Sequence, residues 1–143
     1  MTNAAQVLVE QLAERFLKAS KKLVTAESCT GGGLAENLTQ LSGSSLWYEC
    51  GFVTYSNQSK RDLLAVSIDT LEEFGAVSEE TALAMAKGAL DMSSADFSVS
   101  ITGVAGPDGG VKKNPLGQFV LLGTKETRVA IQRAFILKET VEE

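Results

Sequence analysis

Apolar side chains recur every three or four residues in several segments of the chain, which is the period of a helix with one buried face. A glycine or a hydroxyl side chain stands at most of the ends, as helix caps do. The pattern predicts helices over residues 4–19, 34–41, 57–65 and 78–89, with a short helical turn over 69–74. Small residues on the buried face of the fourth helix predict close packing against a sheet.

Short runs rich in β-branched and aromatic residues lie between these helices and read as strands. They cover residues 23–26, 47–55, 97–101 and 117–123, and a last alternating stretch follows over 129–137. The last two strands are predicted to form a hairpin through Lys125 and Glu126. Strands alternating with helices indicate an α/β fold. We therefore expect one domain over residues 1–143, a three-layer α/β/α sandwich with a mixed sheet of about five strands.

Two glycine-rich stretches follow predicted strands. The first, TAESCTGGG over residues 25–33, lies between a strand and a helix, where free backbone N–H groups could hold an oxyanion beside Ser28. The second, TGVAGPDGG over residues 102–110, could wrap its N–H groups around a ligand. Each stretch could also be an ordinary connecting loop or turn. The first matches neither a phosphate-binding loop nor a nucleophile elbow, so no standard motif decides its role.

The chain contains no histidine, which excludes a Ser-His-Asp triad, a Cys-His pair and histidine zinc sites. A side-chain nucleophile would need a lysine, tyrosine or carboxylate as its base. Lys60 is a candidate because a position in the first turn of a helix lowers the pKa of an amine; the alternative is a solvated surface lysine. Cys29 competes with Ser28 as the nucleophile, although Cys29 and Cys50 also fit as small buried hydrophobes.

Length and charge limit the remaining classes. A chain of 143 residues can bury a core of its own. Its net charge of −5, without a basic stripe, argues against nucleic acid as a partner. No apolar run approaches membrane-spanning length, no signal peptide is recognisable, and two cysteines suit reduced thiols, so we expect a cytoplasmic protein. No carboxylate cluster has metal-ligand spacing, and we expect no cofactor.

Three segments together resemble the CinA C-terminal domain family, which includes nicotinamide mononucleotide deamidases. They are TAESCTGG at 25–32, GFVTYSNQSK at 51–60 and SITGVAGPDGG at 100–110. Shorter likenesses occur in GSS at 43–45 and GAVSEET at 75–81, so the resemblance covers about residues 4–123. Several motifs in matching order make it specific.

The resemblance implies hydrolysis of the carboxamide of nicotinamide mononucleotide, giving nicotinate mononucleotide and ammonia in pyridine nucleotide salvage. It implies Ser28 as the nucleophile, Lys60 as its base and Tyr55 as an assisting group, without a metal. Substrate-binding positions follow in the two glycine-rich stretches; they are Thr30, Gly31, Gly32, Thr102, Gly103, Ala105 and Gly106.

Two features depart from the family pattern. Residues 114–117 read Asn-Pro-Leu-Gly where relatives commonly have Lys-Pro-Val-Gly, and the sequence stops at Glu143, before the family's Gly-Asp-Arg segment and final helix. An uncovered apolar sheet face predicts a homo-oligomer. The alternative to an enzyme is a non-catalytic nucleotide-binding or assembly protein of the same family.

Overall fold

The computed structural model describes residues 3–104, 117–124 and 131–133. Within the second glycine-rich stretch, the predicted site positions Ala105 and Gly106 lie outside the described residues, as do the predicted turn at Lys125 and Glu126 and residues 134–143. The elements are α1 Asn3–Ala19, β1 Leu23–Glu27, α2 Gly33–Thr39, a 3-10 turn Ser44–Leu46, β2 Tyr48–Val53, α3 Asn57–Leu64, α4 Ile68–Phe74, α5 Glu79–Asp91, β3 Phe97–Val104, β4 Gly117–Thr124 and β5 Ile131–Arg133.

The strands lie in the order β2-β1-β3-β4-β5. β1 pairs in parallel with both β2 and β3, and β4 continues the sheet by antiparallel pairing with β3 and with β5. The predicted α/β class is confirmed. Strands β2, β1 and β3 form the parallel part of the sheet, and the described helices pack against it.

Helices cover both faces of this parallel sheet. Side chains of β1 alternate between two cores: Leu23 packs with α1, α2 and Trp47, whereas Val24 and Ala26 pack with α3, α4 and α5. The chain leaves β1 through α2 to reach β2 on one side, and returns through α3–α5 to reach β3 on the other side. Right-handed crossovers in opposite directions place their helices on opposite faces. In open α/β sheets the ligand crevice lies where this direction changes, which in this sheet is at the carboxyl ends of β1 and β3.

Helix α5 lies close to β3, as its small residues predict. Three hydroxyl groups of β3 donate to main-chain carbonyls on the α5 side: Ser98 to Ala86 at 2.9 Å, Ser100 to Ala82 at 2.7 Å and Thr102 to Ala76 at 2.7 Å. These hydrogen bonds satisfy hydroxyls that are otherwise buried. They fix the loop before α5 against the end of β3.

The structure shifts several predicted boundaries. Trp47 precedes β2 instead of opening it, because its ring is 1% exposed and packs 6.0 Å from the ring of Phe16. Helix α2 ends at Thr39, earlier than the predicted 41. Thr102 and Gly103 belong to β3 instead of a loop, because they continue its pairing with β4. None of the helices in the described ranges combines the length and apolar character of a membrane span.

Candidate active site

The parallel pairing of β1 with β2 and β3 brings the ends of these three strands together at one edge of the sheet. Ser28 directly follows β1, and its N–H donates to the carbonyl of Ile101 in β3 at 2.9 Å. Thr54 directly follows β2, and its N–H donates to the carbonyl of Glu27 at 2.8 Å. Ligands of open α/β sheets bind in the crevice at this edge. The candidate site therefore lies where the strand order reverses.

Ser28 and Lys60 meet at this edge, although 32 residues separate them in the chain. The Lys60 Nζ atom lies 3.1 Å from the Ser28 Oγ atom. The side chain of Ser56 caps α3 by accepting from the Ser59 N–H, so that Lys60 falls in the first turn of that helix. Ser28 is 8% exposed and Lys60 only 1%. The structure thus brings together the two residues that the sequence singled out separately.

Two main-chain carbonyls hold the Lys60 amine from the other side. Its Nζ atom donates to Thr54 at 2.8 Å and to Tyr55 at 3.1 Å. A neutral amine has two protons and one lone pair, so these two carbonyls would take both protons and leave the lone pair facing the Ser28 hydroxyl. Among the described residues, no carboxylate forms an ion pair with Lys60.

Burial is the largest cause that lowers the pKa of Lys60 from its ordinary value, and the charge of an ionised Cys29 acts in the opposite direction. A charged amine without a counter-ion is unfavourable away from water. The neutral form is therefore favoured more than in an exposed lysine, and a neutral lysine can act as a base.

Cys29 lies half-buried beside this pair. Burial is the largest cause that raises the pKa of its thiol, with the charge of Glu27 adding to it, and together they outweigh the N–H groups of Cys29 and Thr30. The thiol is therefore less readily ionised than an exposed one. Because the thiolate is the reactive form, this environment favours Ser28 over Cys29 as the nucleophile.

The turn after Ser28 uses glycines where the backbone requires them. Gly31 and Gly32 have φ angles of 57° and 101°, in the left-handed region that favours glycine. The Gly31 N–H donates to the Ser28 carbonyl at 3.1 Å. Within the described part of the chain, the N–H groups of Thr30 and Gly32 have no main-chain acceptor, and the Thr30 N–H faces the Cys29 thiol. Such N–H groups can stabilise the oxyanion that forms on a carbonyl oxygen when Ser28 Oγ attacks the carbonyl carbon.

Sequence reasoning missed Glu27, which is completely buried at the end of β1. Its carboxylate accepts from the hydroxyl of Thr30 at 2.7 Å and from the N–H groups of Leu34 and Ala35 at 2.8 and 3.1 Å. A charged residue that ends a buried strand was the available sign. A side chain that caps the following helix from a strand has no short-range sequence motif, so its partners were not predictable.

The remaining predicted site residues are placed differently. The Tyr55 side chain is 74% exposed and makes no hydrogen bond to a described residue, so Tyr55 contacts Lys60 through its carbonyl alone. Thr102 is 1% exposed, with its hydroxyl donated to Ala76. Gly103 is the next residue of β3 and is half-buried. In the ranges 3–104, 117–124 and 131–133, no three metal-ligating side chains cluster.

A family model, sequence relatives and solved structures all place the chain in one family. The family model of the CinA C-terminal domain matches residues 5–142. The chain is 48% identical over 110 residues to the nicotinamide-nucleotide amidohydrolase PncC of Escherichia coli strain K12, covering 77% of this chain and 67% of that protein. It is also 48% identical over 110 residues to a CinA-like protein of Colwellia psychrerythraea, of which it spans only 26%.

A solved structure agrees in fold. The competence/damage inducible protein CihA from Agrobacterium tumefaciens superposes with a TM-score of 0.93 at 39% identity, covering 98% of this chain and 85% of that one. The resemblance read from the three sequence segments is thereby confirmed. The chain belongs to the CinA C-terminal domain family.

Proposed function

We propose that this protein is an amidohydrolase that removes ammonia from the carboxamide of nicotinamide mononucleotide. The observation that carries the proposal is the 3.1 Å contact between Lys60 Nζ and Ser28 Oγ in a site without histidine. The substrate is suggested by relatives that are 44–54% identical and are named nicotinamide-nucleotide amidohydrolases.

In the first half of the reaction, Lys60 accepts the proton of the Ser28 hydroxyl while Oγ attacks the amide carbon. The N–H groups of Thr30 and Gly32 stabilise the resulting oxyanion. The C–N bond then breaks as Lys60 returns the proton to the nitrogen, and ammonia leaves. Ser28 is now joined to the nicotinoyl group by an ester bond.

In the second half, water replaces ammonia in the same site. Lys60 removes a proton from the water as its oxygen attacks the ester carbon, and the proton passes back to Ser28 Oγ when the ester bond breaks. The products are nicotinate mononucleotide and the free enzyme. One base thus serves both halves, because its lone pair faces the same point in space.

We further propose roles for the residues around this pair. Tyr55 assists from the mouth of the site, where its exposed ring is free to cover the substrate. Gly31 keeps the turn open enough for the nucleotide to approach. Thr102 and Gly103, together with Ala105 and Gly106, would border the ribose or phosphate at the end of β3.

The test is ammonia release from nicotinamide mononucleotide by the wild type and three variants. Ser28→Ala and Lys60→Ala should each lose at least about 100-fold in kcat, whereas Cys29→Ala should stay near wild type. Full activity in Ser28→Ala would reassign the nucleophile. A folded wild type that binds the nucleotide without turnover would favour the alternative, a non-catalytic nucleotide-binding or assembly protein.

The wider setting is part of the same proposal. We propose that the chain acts in the cytoplasm, in pyridine nucleotide salvage, as a homo-oligomer and without a cofactor. We also propose that the whole of residues 1–143 forms one three-layer α/β/α domain with a mixed sheet of about five strands.

A further inference from the structure

Glu27 is a buried carboxylate that the proposed chemistry does not use. It precedes the candidate nucleophile and is 0% exposed. Its hydrogen-bond donors among the described residues all belong to the turn after Ser28 or to the start of α2: the Thr30 hydroxyl and the N–H groups of Leu34 and Ala35. A carboxylate this deeply buried needs hydrogen-bond donors of this kind to offset its loss of contact with water.

These contacts supply α2 with a cap that its own sequence lacks. The residue at the cap position is Gly32, which has no side chain to accept from the first turn. Glu27 accepts from that turn instead, reaching from β1 across the bend. Glu27 therefore ties the first turn of α2 to the end of β1, in addition to the apolar packing of Leu34 and Leu38 against the core.

We propose that Glu27 is a positioning residue that holds Ser28 Oγ at Lys60. The main chain of Ser28 is fixed on one side, where its N–H donates to Ile101. The other side of the turn leads into α2, and Glu27 holds both the Thr30 hydroxyl in the turn and the first N–H groups of α2. If that anchor is lost, the turn can move and the distance between Oγ and Nζ is no longer maintained.

The same contacts determine where a substrate phosphate does not bind. The N–H groups of Leu34 and Ala35 already donate to a carboxylate, so the start of α2 is occupied by a negative charge. A second anion there would be repelled. Glu27 therefore acts on the reacting serine and is separate from phosphate recognition, which predicts an effect on kcat with little effect on KM.

The decisive variant is Glu27→Gln, which keeps the shape but places an NH2 group against one of the donors. Glu36→Gln is the matched control, because Glu36 is an exposed residue of the same helix. Thr30→Val removes a single hydrogen bond and provides a milder second variant. Each would be assayed for kcat and KM with nicotinamide mononucleotide, and for the rate and final extent of Ser28 labelling by phenylmethylsulfonyl fluoride, measured by intact mass.

We expect Glu27→Gln to lose on the order of 100-fold in kcat, as sub-ångström to ångström displacement of a reacting group does, with KM within about 2-fold. Labelling of Ser28 should be at least about 10-fold slower but should still reach one label per chain. A purely structural role would instead lower the final extent of labelling and leave the rate of the folded molecules unchanged. Thr30→Val should show a smaller loss of the same kind, and Glu36→Gln none.

Wild-type kcat and labelling rate in a folded Glu27→Gln protein would overturn the inference, as would an equal loss in Glu36→Gln. If Glu27→Gln does not fold, an unchanged labelling rate in Thr30→Val overturns it. The substrate in this experiment rests on the proposed function, but the labelling does not. A wild type that fails to release ammonia yet is labelled faster than Glu27→Gln would reject the proposed substrate and support the positioning role.

Discussion

Lys60 is a buried amine whose described hydrogen-bond partners are all uncharged. Two are carbonyls of the main chain and the third is a hydroxyl. A lysine in this position is uncommon, since lysines are almost never fully buried unless paired with a charge. Burial without a counter-ion is the physical reason that the pKa of Lys60 is lowered, and it links the placement of one residue to the proposed chemistry.

The activity should therefore depend on pH in a stated direction. Because the neutral amine is the base, kcat/KM should rise as pH rises through the Lys60 pKa, and the midpoint should lie below the ordinary lysine value of 10.5. Rates would be measured above about pH 7, where a substrate phosphate is already doubly ionised. Lys87→Met, a change at an exposed lysine of α5, should leave the profile unchanged.

A flat profile over that range, or a midpoint at the ordinary lysine value, would contradict the base role of Lys60. An unchanged profile in Lys87→Met would show that the midpoint does not depend on the total number of lysine charges. Because the Cys29 thiol would also ionise as pH rises, the same profile in Cys29→Ala assigns the midpoint to Lys60.

At the scale of elements, the packing of α5 depends on the absence of a side chain at Gly88. A methyl group added there would meet the main-chain carbonyl of Leu64 at the end of α3, and a backbone atom cannot rotate away. Helix α5 would have to move away from α3 and from the hydroxyls of β3 to which its carbonyls are bonded.

We therefore expect Gly88→Ala to lower the free energy of unfolding by about 1–3 kcal/mol or more, as overpacking in a core does. Gly33→Ala is the comparison, because a methyl group at Gly33 would meet nothing within 4 Å. The second change should be neutral or slightly stabilising, since alanine favours the helix. Urea unfolding of both variants measures the difference, and equal stability of the two would show that α5 is not restricted at Gly88.

The elements were largely predictable from local patterns, and their ends were not. The periods of 3.6 and 2 located the five described helices and the strands, because burial of one face imposes them. Trp47 was misplaced because its aromatic character suits a strand, whereas in the structure its ring fills a gap against Phe16. Thr102 was assigned to a loop because glycines follow it, but pairing with β4 extends the strand to Val104.

The sequence predicted which residues belong to the candidate site better than it predicted the contacts between them. The absence of histidine directed attention to Lys60, and the glycines marked the turn after Ser28. Their distance of 3.1 Å depends on the order of three strands, which no local pattern encodes. Glu27 was missed for the same reason. Its main-chain partners lie in the first turn of α2, on the other side of the turn that follows Ser28.

At the scale of the whole molecule, β2 is the outer strand of the sheet on the side of the candidate site. In the part of the chain that the structure describes, its outer edge has no partner strand. Val53 of this strand is 48% exposed. Unpaired edges with apolar side chains promote association between chains.

We predict that the protein associates through this edge, in keeping with the proposed homo-oligomer. Val53→Lys should weaken the association, because a lysine on an edge strand opposes strand pairing. Val7→Lys is the matched control, at a valine of α1 that is 49% exposed. Size-exclusion chromatography with light scattering gives the result directly. A monomer at all concentrations would contradict the prediction, and dissociation by Val7→Lys instead would place the interface on α1.

The two carbonyls that orient Lys60 have a consequence for how the sequence can vary. Carbonyl oxygens are present whatever the residue type, so exchange of the side chains at Thr54 and Tyr55 does not remove the acceptors. A library of variants at the exposed position 55 should therefore retain a correctly oriented amine, and Tyr55→Phe would report on the phenol hydroxyl alone. Substitutions at position 55 can therefore change substrate preference without disturbing the contact between Ser28 and Lys60.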